Sequence, residues 1–432
     1  MIEFVTLFLG LVSGPQNIEL SVDPGVACVE IRLDGHPLGT LRDKPWRLHH
    51  DFGEELAPRK LLAIARDVEG KELGRAVQLI NLPRKRAEAR FVLENPDPRG
   101  PPAPPTARVI WEAFGYDHPE KVHISFDDRP LEFSDLERIT LPSYDPKAIH
   151  FLHANLLFKG RVEAEAQLVF GGLYGEEVNS ELTAVMVVSQ TGEPPRAENM
   201  NGWFLKRGRP LRVAAVERGA SEIVVVRERS GVAFDGLEVI WEKRLRLPTL
   251  KFTKGDRLRF VLPSGRHEDK PNLKVDLLPV SRDVASFGEG SLVQIVSGFI
   301  FPGEEIALPE QQLADAVAVA GVVAAGGNRR RAVLLIRAGD TSDVSRFSAR
   351  TVREYLRKVR VPLRVWCLAK GSGDLPALWG REENISDRAG MARGVEDLRA
   401  LLDSQFAVWV EGTHMPGEIE LSPQAKGISL LE

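Results

Sequence analysis

This 432-residue sequence has nine histidines and two cysteines, and their spacing decides whether they can act together. His150 and His153 stand three apart in Ala148–Phe158, a run of strand character. Side chains alternate across a strand, so these two rings point to opposite faces and make poor joint ligands. His49 and His50 are adjacent, just before Asp51, and diverge for the same reason. Cys28 and Cys367 lie far apart in separate apolar runs. That excludes a disulfide framework, and with no second Cys or His at ligand spacing neither resembles a zinc site or an activated thiol. Both are expected to be small core residues. The sequence contains no G-x-S-x-G elbow, no glycine-rich phosphate loop and no H-E-x-x-H pair. Carboxylates are abundant, and no spacing singles out a pair for acid–base work. The residues point away from an enzyme.

The elements that would carry any site fall into two styles. Up to about residue 90, short apolar runs are broken by turn signals at Asp34-Gly35, Arg42–Pro45, Asp51–Gly53 and Glu69-Gly70. Breaks every 8 to 12 residues or so are the pattern of an antiparallel sandwich. Val26–Leu33 and Leu61–Asp67 alternate apolar and polar residues, as half-buried strands do. Phe4–Val12 is apolar but follows Glu3 with no Lys or Arg before it, so it is expected to be a first strand rather than a secretory leader. A proline-rich stretch, Asn95–Pro105, follows and is expected to be an extended linker. Beyond it, Val122–Leu131 echoes Val29–Leu38, which implies a second sandwich related to the first by an internal repeat.

The C-terminal half is built differently. A helix at Gln312–Ala325, a basic turn at Asn328–Arg331, a buried strand at Ala332–Ile336, a polar loop at Ala338–Asp343, a helix at Ala349–Val359 and a buried strand at Leu363–Leu368 alternate in order. Such alternation is what a parallel sheet covered on both faces requires. A last helix is expected at Val395–Asp403, and strands at Phe406–Glu411 and Glu418–Leu421. Basic runs at Arg84–Arg86 and Arg329–Arg331 are expected to be solvated turns. The net charge of -4 gives no electrostatic case for nucleic acid or anionic lipid. No run reaches transmembrane length, so a soluble chain is expected.

Two resemblances sharpen this outline. Residues 29–40 (VEIRLDGHPLGT), 45–53 (PWRLHHDFG) and 61–73 (LLAIARDVEGKEL) resemble the immunoglobulin-like domains of bacterial surface and envelope proteins. From about residue 182 onward, the strand–turn text of 185–217 and the stretch 311–370 resemble a bacterial von Willebrand factor A-related family common in acidobacteria. Together they imply a multidomain protein, with a sandwich at 1–92, a linker at 93–105 and a second sandwich at 106–178. An α/β doubly wound von Willebrand A-like domain with a flanking β extension would then fill 179–432.

The second resemblance implies a divalent-cation site at the C-terminal edge of the sheet, fed by an Asp-x-Ser-x-Ser loop, a Thr and an Asp, the oxygen set a hard cation needs. Laid on this sequence, the first loop is Glu228-Arg229-Ser230-Gly231-Val232, the Thr position falls near Gln311 and the Asp position at Ala338. A second alignment of that loop starts at Leu273–Leu278 and brings in Asp276 and Ser281. Losing the Asp, with Arg229 and Arg337 nearby, disfavours a cation, so no metal or cofactor is expected. A rebuilt Mg or Ca site would use Glu228, Ser230 and Asp340. The reading that follows is a non-catalytic binding or scaffold protein acting on unidentified protein partners or on a second copy of itself, with Arg337, Asp343, Trp379 and Trp409 as interaction candidates, and Trp203 beside them. The alternatives are cation-dependent adhesion and an enzyme of unseen motif. The resembled family is largely exported, whereas no leader is visible here.

Overall fold

The computed structural model describes residues 2–82, 87–94, 105–113, 118–158, 162–171, 182–230, 250–263, 278–284, 309–368 and 378–431, except positions 7, 9, 128, 251, 254, 282, 340 and 413, and also Leu292. Its described strands are mostly antiparallel, with a five-stranded parallel sheet and a short two-stranded parallel pair in the C-terminal half.

Residues 2–80 form two antiparallel sheets around one core containing Ile18, Ile31, Leu61 and Ile80. One sheet has the order Ile2–Phe4, Pro15–Val22, Arg47–Asp51, and the other His36–Leu41, Cys28–Leu33, Arg59–Arg66, Glu72–Ile80. The alternating runs behave as half-buried strands: Val29 and Ile31 point inward, Glu30 outward. The expected strand Phe4–Val12 is realised only at its start. The strand ends at Phe4, and Phe8 and Val12 reach the same core from an irregular stretch. The Val12 N–H there donates to Asn81 Oδ1 at 2.7 Å.

Residues 87–171 repeat this plan. Ala87–Glu94, Thr106–Ala113 and Ile139–Thr140 form the smaller sheet, and Arg129–Pro130, Lys121–Phe126, Ile149–Phe158 and Val162–Gly171 the larger. Strand for strand, both sheets have the connectivity of the first unit. The ten-residue echo marks one shared device. Asp34 and Asp127 both sit at left-handed φ, 52° and 48°, at a hairpin tip. Each accepts a main-chain N–H at 2.8 Å from the strand that pairs next, Lys60 in one and Phe151 in the other. The proline-rich stretch falls in residues 95–104, outside the described residues. The strands flanking it pair with each other, Glu94 opposite Thr106, and Phe91 enters the second core. The chain therefore leaves the first core before Ala87, not after residue 92, and the stretch joins two strands of one sheet.

A smaller β unit is made from both flanks of the C-terminal half. Leu182–Ser189 pairs antiparallel with Gln405–Glu411, from Leu182 opposite Glu411 to Val188 opposite Gln405. Between these flanks lies the parallel sheet: β1 (Ser221–Arg227), β2 (Arg257–Val261), β3 (Arg330–Arg337), β4 (Leu363–Cys367) and β5 (Glu382–Asn384), in spatial order β2-β1-β3-β4-β5. Helices α1 (Leu313–Ala325) and α2 (Ala349–Lys358) cover one face over Val224, Val333 and Leu335. Helix α3 (Arg388–Asp403) covers the other over Ile223, Leu334 and Trp366. A strand buried on both faces must be apolar throughout, and Ala332–Ile336 is.

Helix α3 begins seven residues before the expected Val395. Asp387 caps it, accepting from the Gly390 N–H at 2.7 Å. The added turns hold Gly390 and Gly394, and both are needed for close approach. A Cβ at Gly390 would stand 1.8 Å from the Asn384 carbonyl oxygen, and one at Gly394 2.8 Å from Trp366 Nε1.

The first sandwich docks on α2. Tyr355 Oη donates to the Asn81 carbonyl at 2.8 Å, and Leu56 is buried in the same apolar cluster as α1 and α2. No helix among the described residues is long and apolar enough to cross a membrane.

Two glycine substitutions separate hard contact from soft. Gly390→Ala pushes on backbone and is expected to cost about 2–3 kcal/mol. At Gly321 the added Cβ would meet Leu356 Cδ2, the end of a flexible side chain, and the helix gains about 1 kcal/mol of propensity, so Gly321→Ala is expected to cost ~1 kcal/mol or less. Urea midpoints of the two variants should fall in that order.

Candidate functional site

The C-terminal edge of the parallel sheet is where the loops after β1 and β3 meet, at the point where strand order reverses. In open α/β sheets ligands enter at such switch points. Here Glu228 occupies it. Its N–H extends the ladder to Ile336 O at 2.8 Å, and its side chain turns inward, 1% exposed. Oε2 accepts from the N–H groups of Ala338 and Gly339 at 2.7 and 2.9 Å, and Oε1 from the Thr341 N–H and hydroxyl. Successive N–H groups around Gly339, at φ 80°, form a small anion-binding nest, and the chain's own carboxylate fills it.

The neighbouring positions are equally engaged. Gln311, where the resemblance places a Thr, clamps the main chain of Arg229. Its Oε1 accepts the N–H at 2.8 Å and its Nε2 donates to the carbonyl at 3.0 Å. Ser230 is 3% exposed. Asp340, Val232 and Asp276 lie outside the described residues. Arg337 donates to Glu382 on β5 at 3.2 Å. Asp343 closes the N-terminus of α1, accepting from the N–H groups of Leu313 and Ala314 at 3.1 Å each. Helix α1 has no side-chain cap from its own Gln312, so Asp343 supplies from a distance what an N-cap residue supplies locally. Asp315 answers by accepting from the Arg346 and Phe347 N–H groups. Burial raises its carboxyl above the usual range, and those two N–H donors oppose the rise.

The two tryptophan candidates are placed inside the molecule. Trp409 is buried against Phe151 of the second sandwich, and its indole donates to Glu217 Oε2 at 3.1 Å. Trp379 is 5% exposed and joins the cluster under α2. Trp203 is half-buried beside Phe204. The histidines diverge as expected: His150 meets Asp127 at 2.7 Å, while His153 turns toward Glu217.

Sequence reading missed the polar seam at the opposite edge of the sheet, and it misread the basic run Arg329–Arg331. These arginines are not solvated. Arg329 donates to Glu165 at 2.7 Å, Arg257 reaches both Glu163 and Glu165 at 2.8 Å, and Arg331 is 6% exposed. Burial lowers the Arg331 guanidinium to about 10, with Glu222 opposing. Alternation held the signal: Glu163 and Glu165 face one side of a strand, and Arg257 and Arg259 face one side of β2. Glu217, on a strand of the smaller β unit, makes a further contact with the second sandwich through Gln167 and His153. Burial alone would raise its carboxyl, but hydrogen bonds from His153, Gln167 and Trp409 outweigh it and hold the group below its ordinary value. Glu165 is held down likewise, by Arg329 and Arg257 against its burial.

No protein-family model matches the chain, and no curated protein matches it. Among solved structures, the fibronectin(III)-like modules of Clostridium thermocellum CbhA are similar at 17% identity and a TM-score of 0.17, over 18% of this chain and 93% of theirs. The central fibronectin-III array of RIM-binding protein is similar at 10% identity and 0.21, over 45% and 80%. Bacteroides ovatus SGBP-B, in complex with a mixed-linkage heptasaccharide, is similar at 13% identity and 0.15, over 49% and 57%. Likeness at these scores carries no argument, and the architecture rests on the strand pairing above.

Two outcomes follow. Glu228→Ala strands three main-chain N–H groups and a hydroxyl, and is expected to cost about 3 kcal/mol in urea unfolding. Glu217 has a folded pKa below its ordinary 4.5, so its stabilisation is complete above that pH and is lost as pH falls through the folded value. Glu222 works in the opposite sense, because burial raises its pKa despite Arg259 and Arg257. Its contribution is present at low pH and lost as pH rises. Glu217→Gln should therefore flatten the fall of the urea midpoint between about pH 5 and pH 3, leaving a shallower acid limb than the parent's.

Proposed function

We propose that this chain is a non-catalytic protein-binding or scaffold protein, in which a metal-independent von Willebrand A-like domain is held by its β extension and by two immunoglobulin-like sandwiches. The division into these domains belongs to the same proposal, with the first boundary drawn before Ala87. The observation that carries it is the state of Glu228. A carboxylate has room for about four hydrogen bonds, and Glu228 receives four, so it has no lone pair left to offer a cation or a substrate. The Gln311 clamp and the Asp343 cap remove the neighbouring oxygens from the same role.

A binding role is also favoured by how the bodies are joined. Ion pairs at Glu163 and Glu165 and the Asn81–Tyr355 bond hold the two sandwiches against the parallel-sheet unit, and the Gln167–Glu217 bond holds the second against the β extension. A scaffold needs fixed relative orientation, whereas an enzyme that closes on substrate needs a hinge.

A thermal melt tests the metal-independent reading. With excess magnesium or calcium, and again with a chelator, the midpoint is expected to stay within about 1 °C of that in buffer alone, since only a ligand that binds the folded state raises stability. A rise of several degrees with either cation would overturn the reading and restore a cation-dependent adhesion site.

A further inference from the structure

Away from the closed edge, a cleft of about 610 Å³ opens between α2, β4, the Trp379–Glu383 segment and α3. Its floor is apolar and aromatic: Trp366 and Trp379 lie there, 2% and 5% exposed. Its rim is cationic, formed by Arg353, Arg357, Arg364 and Arg381. These charges are poorly balanced. The Arg357 guanidinium has no ion pair or hydrogen bond among the described residues. Among the described residues, the Arg353 side chain donates to the Leu378 carbonyl alone, at 3.4 Å. Arg381 meets Asp397 at 3.6 Å with both side chains largely in solvent. The other lining carboxylate, Glu383, is held by Arg393 at 2.8 Å. Burial lowers the Arg364 guanidinium below its ordinary value, partly offset by Asp397 and reinforced by Arg381. On a chain of net charge -4, the cleft is a local positive exception.

We infer that this cleft is a docking site for an acidic segment of a partner protein, with an apolar anchor on the tryptophan floor and flanking carboxylates on the arginine rim. The inference rests on the protein-binding reading above and names the chemistry of the partner. Arg353 and Arg357 stand one helical turn apart along α2, and Arg364 and Arg381 approach from other elements, so the cations are spread along the opening. That spread suits carboxylates distributed along a chain. A compact phosphate is held instead by converging main-chain N–H groups, as at a helix N-terminus or a nest. Tryptophan and arginine are also the residues that dominate binding energy at protein interfaces. Glycine builds part of the wall. Gly380, at φ 95°, lies beneath Arg353, and a Cβ there would come within 3.2 Å of its Nη2.

The test is selection of a random-peptide display library on the full chain, then fluorescence anisotropy with one selected peptide. Selected sequences are expected to carry Asp or Glu on either side of an aromatic or large aliphatic residue. Arg357→Glu and Arg381→Glu together should weaken that peptide at least about tenfold, as should raising salt from about 0.15 to about 0.5 M. Arg350→Glu, on the same helix but 90% exposed at its side chain and outside the cleft, should leave binding unchanged. Melting midpoints of the variants show that they remain folded, and each single reversal supplies the measurement if the double variant does not fold. Selection of no peptide, of peptides without acidic residues, or of peptides that bind the reversal variants equally well would overturn the inference. So would displacement by equimolar inorganic phosphate, which would make the cleft a small-anion site. None of these outcomes bears on the metal melt, so failure here and failure of the metal-independent reading remain distinct.

Discussion

A carboxylate buried at the end of a parallel sheet must find donors or carry water in with it, and the loop after β3 is shaped around that requirement. Glu228 has one methylene more than the Asp the resemblance leads one to expect, and its arm reaches across the strand ends to residues 338–341. An acceptor that would otherwise face an open switch point instead ties two loops together. With those loops joined, the short parallel pairing of Glu310–Gln311 with Ser342–Asp343 can form, and Asp343 is placed over the start of α1. The edge is thus organised from within by one side chain.

The opposite edge follows the same rule with charges of both signs. Burying an ion pair costs desolvation that its attraction only partly repays. The seam of Glu163 and Glu165 with Arg257 and Arg329 is therefore better understood as fixing where the second sandwich sits than as a reserve of stability. At the surface around Arg357, by contrast, the guanidinium is exposed and has no ion pair among the described residues.

Periodicity made much of the fold legible. The alternation of Val26–Leu33, the unbroken apolar run of β3 and the helical pattern of α1 each announce an element whose burial the structure shows. The failures have physical causes. The last helix starts before Val395 because Gly390 and Gly394, costly to a helix by propensity, permit the close approach to Asn384 and Trp366. Arg329–Arg331 looks like a solvated turn because its partners, Glu165 and Glu222, lie more than a hundred residues away. At the candidate site, the types at Glu228, Gln311 and Ala338 were readable, but their pairings were not. Hydrogen bonds donated to Asp343 by the first turn of α1, or to Gln311 by the Arg229 N–H, link positions that no local pattern connects.

The pairing of Leu182–Ser189 with Gln405–Glu411 sets a schedule for the growing chain. Synthesis proceeds at roughly 5–20 residues per second, so the first of these strands waits on the order of ten to forty seconds for its neighbour. Throughout that interval Val185 and Val187 can pack on Met200, Phe204 and Val213, but neither strand that pairs with their own has yet been made. The parallel sheet between them can assemble while its β frame is still half-made, and the frame can close only once Glu411 has been added.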